Sequence, residues 1–174
     1  MPLSIHIRRY EPGDIDAIYE AVIESQAELT PWMPWCHAAY SKQETTGWVE
    51  SRCSAWERNE EWSFVIVDAA GRFLGACGIH RFDLRNETAE VGYWVRTSAT
   101  GQGIASEATR QLAQWAFRET GLHRLEIIAA VENVPSHRVA EKAGATREGV
   151  LRERLLLRGQ RHDGVIFSLL RRTT

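Results

Sequence analysis

The segment that most constrains the fold is residues 89–108, AEVGYWVRTSATGQGIASEA. β-branched and aromatic residues open it and glycines at 101 and 103 break it. Apolar residues recurring at Ile104, Ala108, Leu112, Trp115 and Ala116 then mark a helix. Residues 124–131, nearly continuous in apolar character after Glu126, read as a strand buried on both faces. A strand, a helix and a second buried strand in this order form a crossover unit, which lays the two strands parallel with the helix on one face of their sheet.

The remaining elements follow from periodicity and turn chemistry. Residues 4–9 alternate, with Ile5 and Ile7 on one face, and 11–14 form a turn into a helix capped by Asp14 and striped by Ile15, Ile18, Tyr19 and Val22. The run 30–36, TPWMPWC, carries two prolines and two tryptophans and predicts irregular structure. A second helix is expected over 43–58, through Trp48, Val49, Cys53 and Trp56. Residues 62–68, 72–80 and 88–96 predict a three-strand antiparallel meander. A short helix over 135–143 ends at Gly144, and strands near 145–157 and 162–171 follow. The expected order is βααβββαβαββ, an α/β (α+β) domain with a mixed, mostly antiparallel sheet. No repeat or linker divides it, so 1–174 reads as a single domain.

Composition narrows the function. No apolar run approaches the roughly 18 residues that a membrane span needs, and residues 1–10 lack a signal-peptide pattern. The expectation is a complete, cytoplasmic chain with no membrane partner. Three cysteines at 36, 53 and 77 show no Cys-x-x-Cys spacing, and the six histidines are scattered, so no metal site is expected. The net charge of −2 hides an acidic N-terminal half and a basic stretch after Lys142. No dense Lys/Arg stripe with interleaved aromatics signals nucleic acid.

Glycines 101 and 103 let the backbone take positive φ and approach a ligand, and the free N–H groups of the following helix favour phosphate oxygens. A plain structural turn is one alternative. A dinucleotide fingerprint is another, but Ser106 takes the third small-residue place and Glu126 lies near the start of its strand rather than at its end. The third is a coenzyme A pyrophosphate site. Residues 100–105, TGQGIA, resemble the acetyl-CoA motif of the GNAT acetyltransferases, and Asn133 to Ser136 and Glu141 to Gly144 resemble that family's next segment. The runs EVGYWV at 90–95, SEA at 106–108 and Glu132-Asn133 with Ser136 resemble its RimJ/RimL branch, whose best-known members acetylate the N-terminal amine of ribosomal proteins. The likeness spans essentially the whole chain and implies the GNAT acyl-CoA N-acyltransferase fold, with helices on both faces of a twisted sheet.

What the resemblance implies is an acetyl-CoA-dependent N-acetyltransferase acting on a primary amine, with no metal. The pantetheine arm would lie along Trp94, Val95 and Arg96, with the Val95 N–H as an oxyanion donor. Thr100, Gly101, Gln102, Gly103, Ile104, Ala105 and Ser106 would hold the pyrophosphate, and Asn133 would bond the pantetheine amide unless it serves only as a turn former. Two positions depart from the family pattern: Thr100 replaces the usual Arg or Gln, and Ala140 stands where many members carry the tyrosine that protonates the departing thiolate.

Alternation puts Glu90, Gly92 and Trp94 on one face of their strand and Val91, Tyr93 and Val95 on the other. Glu90 beside the small Gly92 is the candidate general base, directly or through a water; the competing reading is a glutamate satisfied by an arginine. Ser136 is the candidate for protonating or orienting the thiolate, against a hydroxyl that merely serves the helix start, and His137 is a second donor to weigh. Seven tryptophans are many for this length. Trp32 and Trp35 are expected to wall an acceptor groove beside Glu57, Glu60 and Glu61, suited to a cationic peptide N-terminus or a polyamine, unless the aromatics are core or a homodimer contact. A small-molecule amine as acceptor, and a non-catalytic acyl-CoA-binding protein, stay open.

Overall fold

The computed structural model describes residues 4–171. The chain runs β1 (Ile5–Arg9), α1 (Ile15–Glu24), α2 (Gln26–Leu29), α3 (Lys42–Glu57), β2 (Trp62–Asp68), β3 (Phe73–Asp83), β4 (Thr88–Val95), α4 (Ile104–Glu119), β5 (Arg124–Ala130), α5 (Val134–Ala143), β6 (Thr146–Leu157) and β7 (Gln160–Leu170). Among the described residues α2 and two single-turn 3-10 helices, Pro12–Asp14 and Thr97–Ala99, lie beyond the expected order, and residues 30–36 that follow α2 hold no helix or strand. Ser41 caps α3 by accepting from the Glu44 N–H while the Glu44 carboxylate reaches back to the Ser41 N–H, a reciprocal arrangement that fixes where that helix starts.

The seven strands form one sheet in the order β1-β2-β3-β4-β5-β7-β6, with β4 and β5 parallel and every other neighbouring pair antiparallel. The crossover read from residues 89–131 is therefore present, with α4 as its helix. Period-two alternation divides the core into two layers. On β2, Val65 and Val67 pack with Ile18 and Val22 of α1 and Val49 of α3. Phe64 and Ile66 pack on the opposite face with Ile104, Ala108 and Leu112 of α4. Burying both faces of the sheet supplies the apolar area that stabilises the fold, and it leaves the middle of β4 between two helical layers. No helix among the described residues is long and apolar enough to cross a membrane.

Candidate active site

β4 and β5 pair only at Thr88, Ala89 and Glu90 against Arg124, Leu125 and Glu126, and then separate. On its other edge β4 stays paired to β3 through Val95, and the Arg96 N–H donates to the Leu74 carbonyl at 2.8 Å. N–H direction alternates along a strand. The N–H groups of Gly92 and Trp94 therefore face β3 as that of Arg96 does, and those of Tyr93 and Val95 face the opening. A ligand laid between β4 and β5 meets backbone donors where a neighbouring strand would have been.

Two cavities meet at this opening. One of about 560 Å³ lies toward α1 and α3, with Trp35, Tyr40, Trp48 and Trp94 in its walls. The other, of about 420 Å³, lies in the opening itself and touches Trp32, Glu90, Ile127, Asn133, Ser136 and Arg154. Both are lined by Met33, Pro34, His80, Arg81, Gly92 and Tyr93.

The residues of the glycine turn line neither cavity. Gly101 and Gly103 have φ of +76° and +78°, in the left-handed region that glycine enters without cost. The first intrahelical bond of α4 runs from the Glu107 N–H to the Gly103 carbonyl at 3.0 Å, so the N–H groups of Ile104, Ala105 and Ser106 are left as the outward donors of a helix start. The Ile104 and Ser106 side chains are buried, which leaves these residues their backbone as the available contact. The Thr100 hydroxyl donates to the Thr97 carbonyl at 2.8 Å and braces its own turn.

Arg96 turns its side chain to the α1 side of the sheet. It is 5% exposed, and its guanidinium is bound by Glu20, Glu24 and the Phe73 carbonyl on the α1 side, so it fastens β4 to that helix. The Trp94 ring packs against Trp35, centroids 6.0 Å apart, in the cavity toward α1 and α3.

At the start of α5, Asn133 is the N-cap, its side chain accepting from the Ser136 N–H at 3.3 Å. The Ser136 hydroxyl lies 3.0 Å from the Tyr93 hydroxyl, which also reaches the Ser136 carbonyl at 3.1 Å. Tyr93 arrives from the β4 face opposite Glu90, so a tyrosine hydroxyl stands beside the α5 start although Ala140 is fully buried. Burial pushes the Tyr93 phenol up to about 12, against the lowering effect of its Ser136 bond, and keeps it a neutral donor. His137 is accounted for structurally, its Nε2 lying 2.9 Å from the Ala130 carbonyl and its ring against Phe167.

Both Glu90 oxygens accept from arginines: Arg81 at 3.0 Å and Arg154 at 2.6 Å. Across the β3–β4 pair His80 stands directly opposite Glu90, with its Nε2 3.9 Å from the carboxylate. The space beside Gly92 is taken by this imidazole, since a Cβ there would come within 3.2 Å of His80 Cε1.

The aromatic surplus divides in two. Trp56, Trp62 and Trp115 form a core cluster with Phe64 and Phe82. Trp32, Trp35, Trp48 and Trp94 line the cavities, Trp35 in the first and Trp32 in the second. The acidic wall expected beside Trp32 and Trp35 is not assembled: Glu57 is exposed at the end of α3 and lines neither cavity, and Glu60 pairs with Arg58 at 2.8 Å. Glu61 does line the first cavity but is bound by Arg52, whose guanidinium lies 4.2 Å above the Trp48 ring. Among the described residues no group of three or more His, Cys, Asp or Glu could hold a metal ion.

The basic C-terminal stretch acquires a place. An irregularity in β6 between Leu151 and Leu155 sends Arg154 across the opening to Glu90, and Arg158 at the β6–β7 turn grips carbonyls of the loop that carries Trp32 and Trp35. Tyr93, His80, Arg154 and Arg158 all escaped the sequence reading; only Tyr93, by its place on the second face of β4, left a signal there.

Residues 4–146 match the acetyltransferase (GNAT) domain family. The YdaF protein of Bacillus subtilis, provisionally named a ribosomal N-acetyltransferase, is 34% identical over 97% of this chain and 92% of its own length. The ribosomal-protein-serine acetyltransferase of Escherichia coli is 26% identical over 95% of this chain and 92% of its own. The solved structure of Mycobacterium smegmatis RimJ in complex with CoA-disulfide superposes with a TM-score of 0.84 at 26% identity, covering 95% of this chain and 81% of that one. Strands that part beside unpaired β4 donors, a glycine turn opening α4 and these likenesses lead to one conclusion: the chain is an N-acetyltransferase of the GNAT family.

Proposed function

We propose that the acetyl group of acetyl-CoA is transferred to a primary amine at the N-terminus of a protein or peptide, by direct attack in a ternary complex. The observation that carries this reading is the parting of β4 from β5 onto two cavities that meet over Gly92, one for each reactant. The E. coli relative named for ribosomal-protein serine and the CoA complex of RimJ support the acceptor and the donor.

The residues fit a coenzyme A thioester. N–H groups of Ile104, Ala105 and Ser106, with the positive end of the α4 dipole, suit the pyrophosphate and need no net charge. Asn133 at the α5 start suits the pantetheine amide, and the N–H groups of Tyr93 and Val95 suit a chain laid along β4. Acetyl-CoA supplies the activated carbonyl. The Val95 N–H stabilises negative charge developing on the carbonyl oxygen, and a donor fixed in place before reaction does so without reorganisation. The Ser136 hydroxyl, held by Tyr93, donates toward the departing sulfur. Glu90 stands at the foot of the opening with its two oxygens bound by Arg81 and Arg154, so its charge is already countered and the acceptor amine enters in its neutral form.

All of these residues come from one chain. A cytoplasmic setting suits the reading, since all three cysteines are free thiols, as a reducing compartment keeps them.

Thiol release from acetyl-CoA over a panel of peptides, amino acids and polyamines tests the proposal, together with mass spectrometry of acetylated lysate proteins. Turnover of peptides at the α-amine is expected. Turnover of small amines alone would move the acceptor class, and acetyl-CoA binding without turnover of any amine would leave a binding protein.

A further inference from the structure

We infer that His80 is the base that takes the proton of the attacking amine, with Glu90 as the group that orients its ring and stabilises the imidazolium. This rests on the acetyl-transfer reading above. Of the residues lining both cavities, Met33, Pro34 and Gly92 carry no exchangeable side-chain proton acceptor of use, Arg81 is always charged, and the Tyr93 hydroxyl is committed to Ser136. His80 is what remains. It also lies on the acceptor face of the sheet, in register with Glu90, and its ring spreads over Gly92 where the two cavities join.

The ring's two nitrogens are distinguished by their surroundings. Nε2 lies 3.9 Å from Glu90, and Nδ1, on the ring edge away from that nitrogen, lies 3.8 Å from the position a Gly92 Cβ would take, above the residue that lines both cavities. The negative carboxylate favours the proton on Nε2, which leaves the Nδ1 lone pair for the amine. Glu90 is the weaker candidate for direct proton transfer because Arg81 and Arg154 occupy both its oxygens. Besides Glu90 and Arg154, the charged groups that share these cavities with the ring are its neighbour Arg81, Arg52 and Glu44 from α3, Glu61 just before β2 and Arg161 of β7, and the titratable Tyr10, Cys77 and Tyr93 line them as well. Burial holds the imidazole below its ordinary pKa, Glu90 pulls it back up, and Arg81 and Arg52 lower it further. The ring is therefore neutral, and able to accept, at pH 7.

In the step itself the nitrogen lone pair of the neutral amine forms the C–N bond and the C–S bond breaks with its electron pair going to sulfur. The nitrogen's surplus proton passes to Nδ1. The imidazolium later returns that proton to solvent, and the thiolate takes one up, so that amine and thioester become amide and thiol.

The test uses the intact protein, a peptide acceptor that it turns over, and the variants His80→Gln and Glu90→Gln. For H80Q, kcat/KM is expected to fall by about 10²-fold and the acid limb of its pH profile to vanish, with the acetyl-CoA Kd unchanged. For E90Q, the acid limb should persist and move to lower pH. Without turnover, the Cε1–H resonance of His80, assigned by its loss in H80Q, should titrate below the ordinary histidine value and shift lower still in E90Q. Wild-type kcat/KM with an intact acid limb in H80Q would overturn the inference, as would loss of the limb in E90Q while the His80 resonance still titrates. A wild-type protein that binds acetyl-CoA but acetylates no amine would instead sink the transfer reading, and the base assignment with it. Should H80Q fold poorly, the resonance in wild type and E90Q decides, because a ring whose titration is unmoved by E90Q is not coupled to Glu90.

Discussion

Arg158 Nε stands 2.8 Å from the carbonyl oxygen of Thr30, joining the tip of the β6–β7 hairpin to the start of the loop that carries Trp32 and Trp35. The same guanidinium also reaches the carbonyls of Met33 at 3.0 Å and of Cys36. One planar fork thus holds three backbone oxygens of a segment with no helix or strand of its own.

Removing that fork should loosen the acceptor side first. Arg158→Ala is expected to raise the peptide KM severalfold more than the acetyl-CoA KM, and to cost about 1–2 kcal/mol of stability for charge-assisted bonds at a partly solvated site. Arg158→Lys should recover only part, since an ammonium cannot present the fork. Steady-state kinetics with each substrate varied in turn, and urea melts, check this. Equal changes in both KM values would mean that the hairpin does not act on the acceptor loop selectively.

Ser136→Ala is expected to lower kcat by about 10²-fold if its hydroxyl assists thiolate departure. Tyr93→Phe should cause a smaller loss, and the double variant should be no worse than Ser136→Ala, because Tyr93 acts through the Ser136 hydroxyl 3.0 Å away. A fully active S136A protein would take this hydroxyl out of the chemistry.

Two glycines should fail for different reasons. At Gly75 a Cβ would sit 2.2 Å from the Trp94 carbonyl oxygen and 2.8 Å from Val95 Cα, both backbone atoms. Gly75→Ala must therefore push β3 from β4 and should destabilise by about 3 kcal/mol or more. Gly103 has open space around it but φ of +78°, so Gly103→Ala should cost only about 1–2 kcal/mol of strain while weakening coenzyme A binding. Thermal melts and calorimetric titration with coenzyme A separate the two effects.

Acid stability should track two carboxylates. Bonds from the Arg96 side chain and then the Ser98 N–H hold Glu24 at about 2, against an ordinary 4.5. Bonds from Arg124 and then Ser168 hold Glu148 at about 2. A folded-state value below the unfolded one means that the unfolded chain binds the proton first, so the contribution is complete above pH 4.5 and is lost as pH falls toward 2. Urea midpoints measured from pH 6 downward should drop through that window, and the drop should flatten in a protein carrying Glu24→Gln and Glu148→Gln. An unchanged slope in that double variant would show that these pairs do not couple folding to protons.

The crossover, the glycine turn and the split of β4 into two faces were legible from the chain because each depends on neighbours a few positions apart. Glycine at 101 and 103 announces positive φ, and alternation places Glu90 with Gly92 and Trp94 whatever the rest of the protein does. The partners of Arg96 were illegible for the complementary reason. Its place at the end of β4 suggests the ligand, but its guanidinium meets Glu20 and Glu24 of a helix more than seventy positions earlier, and periodicity carries no record of such a partner.

By itself the sequence determined which segments are strands and helices, where a glycine turn leaves backbone N–H groups free at a helix start, and the family to which these belong. Tertiary structure alone decided which charges neutralise one another, that four tryptophans line cavities while three are core, and that His80 rather than open space lies over Gly92. The physical reason is range. Backbone geometry is a local property of consecutive residues, whereas ion pairs, cavity walls and a histidine's burial exist only once strands distant in the chain have been brought to one sheet.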